Sequence, residues 1–362
     1  MTSKGRAATR GGEGVTVLDE RKEAILRAIV HEYVRDGEPV GSKRLVDDWD
    51  LGVSAATVRS EMAALEEAGY ITHPHTSAGR VPTDLGYRYF VDTLAETATV
   101  RPEQRAALEG LLLGASDLEE LLRRATNVLS RLTRFAALVV APRLDRSRLR
   151  HVELVRLGPR SVLAVLIADT GRVDKRILDI GTTVDDADVQ RARHAVNSAV
   201  IGLRVTQAPD VVLGLVPGAP PAVRSLLEAV ADAIRQGVTT ETSEPVFVGG
   251  SANIAERGYF DRIEQVQQVY ELLEEQVILL TMLREALKGG DPSVRIGTEL
   301  PLVELAACSL VVSSYAAGEA MGSLGVLGPT RMDYPGTLAA VQAVASSLEK
   351  ALTELLGGSD AA

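Results

Sequence analysis

SAATVRSEMAALEEAG, residues Ser54 to Gly69, is the stretch whose reading decides the fold. Ser54 supplies an N-cap oxygen and Gly69 a helix stop. Val58, Met62 and Leu65 fall at i, i+4 and i+7, so one stripe of this helix must face a core. The opposite stripe, Ala56, Ser60 and Ala63, consists of small residues that let the backbone come close to a flat partner. Arg59 stands on the flank with reach for a base edge or a phosphate. An amphipathic helix with one Arg is ordinarily just a surface helix, so the neighbouring segments must carry the argument.

Upstream, Asp19 to Val34 predicts a first helix with Ile25, Ile29, Val30, Tyr33 and Val34 on one side, ended by Gly37. After Pro39-Val40, Ser42 caps a short helix, KRLVDDW, and the tight turn LGVS delivers Ser54. Short helix, tight turn and longer helix make the helix-turn-helix pattern. Downstream, Tyr70-Ile71-Thr72 predicts a short strand, HPHTSAGR a polar tip, and Val81-Pro82 a returning strand, which together form a wing. The expected DNA contacts are therefore Lys43 and Arg44 on the short helix, Ser54, Ala55, Ala56, Thr57, Arg59 and Ser60 on the recognition helix, and His75, Thr76, Ser77 and Arg80 on the wing. Arg59 is placed for base edges, with an internal ion pair to Glu66 as its competing role. Arg80 is placed for backbone or minor groove.

At these residues the chain resembles the heat-inducible transcription repressors called HrcA. The resemblance rests on EPVGSKRL (Glu38 to Leu45), SAATVRSEMAALEEAGYI (Ser54 to Ile71), HTSAGRVPTDLGYRYFVD (His75 to Asp92), CSLVVSSY (Cys308 to Tyr315) and GVLGPTRMDY (Gly325 to Tyr334). It covers both ends of the chain, and the middle, about 186 to 249, matches only in general character. Ser60 stands where the family's Asn is expected, so a side-chain amide contact to a base there is not carried over. The resemblance implies an α+β protein with an N-terminal winged helix-turn-helix, then a GAF-like α/β domain that carries an inserted dimerising domain. It also implies repression of heat-shock chaperonin genes by a homodimer on an inverted-repeat operator in double-stranded DNA, with release on heat stress and the chaperonin GroEL as modulator.

The chain has 362 residues, and at roughly 100 to 200 residues per domain two or three domains are expected. The expected division is a disordered tail over 1–18, the winged helix-turn-helix over 19–95, a discontinuous GAF-like domain over 96–185 and 250–362, and the dimerising insert over 186–249. No apolar run approaches the roughly 18 residues of a membrane span. The opening MTSKGRAATRGGEG lacks the apolar core of a signal peptide, and the single Cys308 allows no internal disulfide; a cytoplasmic protein is expected. Charge does not advertise nucleic acid. The net charge is -10, and Asp19 to Asp92 holds nine Lys and Arg against fourteen Asp and Glu, or -5. Positive charge must therefore be gathered locally for DNA to be bound. Lys4, Arg6 and Arg10 in the tail are either a passive extension or a phosphate-contacting arm.

Beyond the wing, Thr83 caps a helix through Leu94, and Thr97 to Val100 reads as a hinge. Pro102 to Phe135 predicts two helices broken near Gly114 to Asp117. Runs at Ala136–Ala141, His151–Leu157, Ser161–Ala168 and Arg172–Ile180 are expected to form a single antiparallel sheet. Helices follow over Asp185–Val205 and Ala222–Arg235, and Val189, Val196, Leu226, Val230 and Ile234 are the candidate subunit seam. Gly258 to Gly289 predicts the longest helix, with Leu273 on its apolar stripe and self-pairing as the alternative to a core role. Strands near 294–297, 306–315 and 318–327 and a last helix from Asp333 or Tyr334 close the chain.

There is no GxxxxGK[ST] loop, GxSxG elbow or HExxH pair, so neither an enzyme nor a cofactor is expected. Cys308 in AACSLVV reads as a small buried residue. His73 and His75, with no further ligand nearby, make a poor zinc site, and no metal is expected. Gly318, Gly322, Gly325 and Gly328 read as turn and close-packing residues ahead of an anion cradle, and Arg331 as an internal anchor ahead of a subunit contact. Two further readings stay open: a metabolite-sensing winged-helix regulator with a small effector in the GAF-like domain, and an enzyme with a DNA-binding appendage. The first of these needs a pocket of convergent polar groups that the sequence does not locate.

Overall fold

The computed structural model describes residues 18–74, 79–94, 98–239, 244–255, 259–260 and 262–357. The tail with Lys4, Arg6 and Arg10, the wing-tip residues His75, Thr76 and Ser77, and the expected helix start at Gly258 lie outside them. The chain divides into two compact units, Met1–Ala95 and Glu96–Ala362, and both α and β structure are present.

The first unit begins with α1 (Glu20–Asp36), started by Asp19, whose carboxylate accepts the Lys22 backbone N–H, and stopped by Gly37 at φ 74°. Next come α2 (Ser42–Asp48) and α3 (Ala55–Glu67). β1 (Ile71–Thr72) and β2 (Val81–Pro82) pair antiparallel, and Val40 and Arg80 add a third backbone bridge beside them. α4 (Asp84–Tyr89), capped by Thr83, continues into a wider π-helical turn over Phe90–Leu94. Ile25, Leu26, Ile29, Leu45, Val58, Leu65, Ile71 and Phe90 fill the centre. This is the element order of a winged helix-turn-helix.

In the second unit α5 (Pro102–Leu112) and α6 (Leu118–Thr133) precede β3 (Ala136–Val140). There follow β4 (Leu149–Arg156), β5 (Ser161–Ala168), β6 (Val173–Asp179), α7 (Asp186–Val200), α8 (Ala208–Gly214) and α9 (Pro221–Thr239). β7 (Val246–Gly249), α10 (Ile263–Glu274), α11 (Gln276–Leu287), β8 (Ser293–Ile296), β9 (Cys308–Ala317), β10 (Ala320–Pro329) and α12 (Tyr334–Gly357) complete it. Five strands form one antiparallel sheet in the order β7-β3-β10-β9-β8, and β4-β5-β6 form a second. The expected single sheet from 136 to 180 is thus two sheets. Every residue of β3 is buried, as helix-covered strands require, whereas β5 alternates buried and half-buried residues and is covered on one face only.

β3 and β7 are hydrogen-bonded neighbours, Val140 opposite Val246, so the chain between them leaves and rejoins the same edge of the sheet. That excursion carries β4 to β6 as well as α7 to α9. One face of its sheet, with Val152, Leu154, Val162, Ala164 and Leu166, packs on α7 and α9. The residues expected at a subunit seam are consumed in this internal core: Val189, Val196, Leu226, Val230 and Ile234 are each at most 3% exposed. Their stripe pairs with their own sheet, which the helix-only reading of the insert had placed elsewhere.

The long helix expected over 258–289 is also two. Glu275 leaves the helical region (φ -93°, ψ 82°) between α10 and α11, which brings Leu272, Leu273, Leu279, Leu280 and Leu283 into one core against Leu138, Leu310 and Val312. Leu273, at 7% exposed, belongs to that core. A straight helix over 258–289 would run about 48 Å, well past the roughly 24 Å width of five strands. α12 is the longest described helix, at 24 residues.

Candidate nucleic-acid interface

In α3, Val58, Met62 and Leu65 are buried, while Ala56, Arg59, Ser60 and Ala63 are exposed. Ser54 Oγ accepts the Thr57 backbone N–H at 3.3 Å and lies 3.1 Å from the Thr57 hydroxyl. The cap thus ties Ser54 and Thr57 together. The first-turn N–H groups of Ala55 and Ala56 have no intrahelical acceptor, as at any helix start, and a phosphate suits that position.

Two carboxylates on α3 hold it in place. Glu61 pairs with Lys22 at 3.3 Å and Arg21 at 3.6 Å, fixing α3 to α1. Glu66 accepts from Arg80 through Nη2 at 2.6 Å and Nε at 2.8 Å, and from His73 Nδ1 on its other oxygen. Partial burial works to raise the Glu66 pKa, but the His73 and Arg80 hydrogen bonds outweigh it and hold the carboxyl below the usual range. The wing is thereby clamped to the recognition helix. Arg80, expected on DNA, carries its guanidinium in this clamp, and Glu66 has Arg80 and His73 as partners where the sequence suggested Arg59.

Arg44 is also ion-paired within the unit. It binds Glu32 at 2.6 Å, Asp36, and Asp48 at 3.6 Å. Glu32, 1% exposed, also accepts from Trp49 Nε1 at 3.1 Å and from Arg35 at 2.6 Å. One buried carboxylate therefore joins α1, α2 and the turn after α2. A charge removed from water needs partners of this kind, and Arg44 supplies one. Sequence reasoning missed Glu32, and it named Glu66 with Arg59 as partner where Arg80 and His73 hold it. The available signal for Glu32 was its place at i+7 from Ile25, a polar residue on an apolar stripe.

Lys43 and Arg59 remain. Both are exposed, and neither has an ion pair or a hydrogen bond among the described residues. Of the expected contacts, the structure gathers Ser54, Ala55, Ala56, Thr57, Arg59 and Ser60 on one helix end and its outer stripe, and leaves Lys43 on α2 without a partner among the described residues. His75, Thr76 and Ser77 cannot be placed against them, lying outside the described residues.

Elsewhere the sequence's other candidates have structural roles. Cys308 is 1% exposed, and burial pushes its thiol up to about 12, out of nucleophile range. A Cβ at Gly322 would lie 2.2 Å from the Tyr315 ring and one at Gly328 2.9 Å from the Phe135 ring, while Gly318 turns at φ 64°. Close packing and a turn therefore require these glycines. The Arg331 guanidinium sits 5.5 Å from the Tyr259 ring centre, a cation–π contact inside the second unit.

Residues 119–338 match the family model described as HrcA protein C terminal domain. The chain is 47% identical over 339 residues to the heat-inducible transcription repressor HrcA of Acidothermus cellulolyticus, covering 93% of this chain and 100% of that one. It is 45% identical over 342 residues to the repressor of the same name from Frankia casuarinae, covering 94% and 99%. A solved structure titled as a hypothetical protein superposes with a TM-score of 0.64 at 22% identity, over 94% of this chain and all of the other, and so shares the fold. No described helix is long and apolar enough to cross a membrane. With relatives of this identity along nearly its full length, the chain belongs to the heat-inducible transcription repressor HrcA family.

Proposed function

We propose that this chain represses heat-shock chaperonin genes by binding an inverted-repeat operator as a homodimer and releasing it on heat stress. Heat-inducible repression comes with the family, and the mode of DNA binding is our reading of α3. The observation that carries it is the state of the cations: Arg21, Lys22, Arg35, Arg44, Arg80 and Arg88 are ion-paired, while Arg59 and Lys43 are not. In a net acidic unit, Arg59 and Lys43, without an ion pair or hydrogen bond among the described residues, are available to phosphates and base edges. α3 enters the major groove with Ala56, Ser60 and Ala63 against the duplex, Arg59 reads a base edge, and Lys43 takes a phosphate. Arg44 and Arg80 act through α1 and the wing, holding α3 at its angle.

A two-fold operator calls for a two-fold protein. We read the five-stranded portion as GAF-like and the excursion between β3 and β7 as the dimerising insert. Its helices are committed to the internal core, so the seam falls on the outer face of β4-β5-β6. There Val155, Leu163 and Ile177 stand in one cross-strand row, with Ile177 72% exposed and Leu157 54% exposed beyond it. GroEL acts in this reading as the modulator that raises the DNA-binding fraction.

Nuclease footprinting of the purified protein upstream of its own gene and of the chaperonin genes tests the proposal. A protected inverted repeat that is lost on heating, and regained with GroEL and ATP, is the expected result. Protection that depends on a small molecule and ignores GroEL would favour the metabolite-sensing alternative.

A further inference from the structure

A cleft of about 570 Å³ opens in the second unit between the start of α6, the edge strand β7 and the turn joining β5 to β6. Its size lies in the range of small-molecule sites, roughly 300 to 1,000 Å³. Leu118, Leu122, Val246 and Phe247 give it an apolar floor. Gly171 lets the turn approach that floor: at φ 76°, a Cβ there would lie 3.1 Å from Leu356 and 3.7 Å from Leu118. The next residue, Arg172, is thereby set in the cleft wall.

Two acids line that wall: Asp117 caps α6 by accepting the Glu120 backbone N–H at 2.8 Å, and Glu119 is paired, which leaves the wall's cations in excess. Arg123 lies 5.2 Å from the Phe247 ring centre and is paired with Glu119 at 2.7 Å. Arg172 donates to the Pro142 carbonyl at 3.4 Å and has no ion pair among the described residues. The acids that feel it are engaged with others, Asp174 with Arg176 at 2.9 Å and Glu244 with Arg284 at 2.6 Å. Burial pushes the Arg172 guanidinium pKa down, the mark of a cation held from water without a carboxylate of its own. Lys175, exposed on the same wall, is likewise without an ion pair among the described residues.

Two unneutralised cations beside an apolar floor match an anion with an apolar body. We propose that this cleft binds a small amphipathic carboxylate, its head group on Arg172 and Lys175 and its hydrocarbon or aromatic body on Phe247, Val246 and Leu122. A guanidinium fork and a carboxylate match in geometry as well as charge. The ligand touches both the inserted segment, through β6 and its turn, and the five-stranded sheet, through β7 and α6. It therefore bridges the two sheets of the second unit. The cleft lies at the Val173 end of β6, where Lys175 stands on the same outer face as Ile177 and one cross-strand row away, so it adjoins the face assigned to the subunit seam.

The test uses the full-length protein without DNA, octanoate as probe, and octyltrimethylammonium as the same tail with opposite charge. Calorimetry should show saturable octanoate binding, one per chain, with no competition from the cation. R172Q and K175Q should each weaken it about tenfold, as the loss of one charge-assisted contact does. K175Q changes an exposed side chain and should keep the wild-type thermal midpoint, so it decides the matter even if R172Q folds poorly. Equal binding of both probes, unchanged octanoate affinity in K175Q, or no saturable octanoate binding up to about 10 mM would each overturn the proposal.

Discussion

Glu32 shows how a single side chain sets the geometry of the DNA-binding unit. Its carboxylate is 1% exposed and holds Trp49, Arg35 and Arg44 together. Glu32→Ala leaves the Trp49 N–H without its acceptor, and urea unfolding should report a loss on the order of 2 kcal/mol, with operator binding weakened through the displaced α2. Glu66 gives a prediction in pH. Its pKa is lowered in the folded protein, so its stabilising share is fully present above the ordinary carboxylate range and is lost as pH falls through the depressed folded value. The difference in thermal midpoint between wild type and Glu66→Gln should therefore be largest near neutral pH and shrink toward zero in acid; a difference independent of pH would show that the clamp contributes nothing through its charge. At this scale the sequence was legible where periodicity speaks, as at Val58, Met62, Leu65 and the small stripe opposite. It was silent on the Arg44–Asp36 and Arg80–Glu66 pairs, which span 8 and 14 residues along the chain and form only on folding.

Most strands and helices were recovered individually, but α8 and β7 were not read, α10 and α11 were read as one helix, and the assignment of strands to sheets was missed. β3 and β5 are both apolar runs of ordinary length, yet β3 is buried throughout and β5 on alternate residues. That difference in covering elements separates the two sheets, and no turn signal between them records it. The break at Glu275 has no Pro or Gly to announce it. It arises because Leu272 and Leu279 share a core that a straight helix could not fold onto. Where glycines carry the packing, the sequence was informative: Gly322 lies directly against the Tyr315 ring, whose hydroxyl donates to the Val140 carbonyl at 2.7 Å. Gly322→Ala should destabilise the second unit by about 1 to 3 kcal/mol through forced displacement of that ring. Chemical unfolding followed by far-ultraviolet dichroism reads the change.

For the whole molecule, the acidic balance of -10 makes DNA binding depend on the placement of a few cations and, in the proposed dimer, on their two-fold repetition. If the seam lies on the outer face of β4-β5-β6, Ile177→Glu introduces a charge at a 72% exposed position and should give a folded monomer with much weakened operator binding. Light scattering that still finds a dimer would move the seam elsewhere. The central claim, that α3 reads the operator through its one flanking arginine, is tested most directly by Arg59→Ala, titrated at one fixed salt concentration against the operator and against random duplex DNA. The account predicts a loss of about 1 to 3 kcal/mol on the operator and little on random DNA, with specificity relaxed at one position per half-site. An unchanged ratio of specific to random binding, accompanied by a lowered melting temperature, would contradict it and return Arg59 to a structural role.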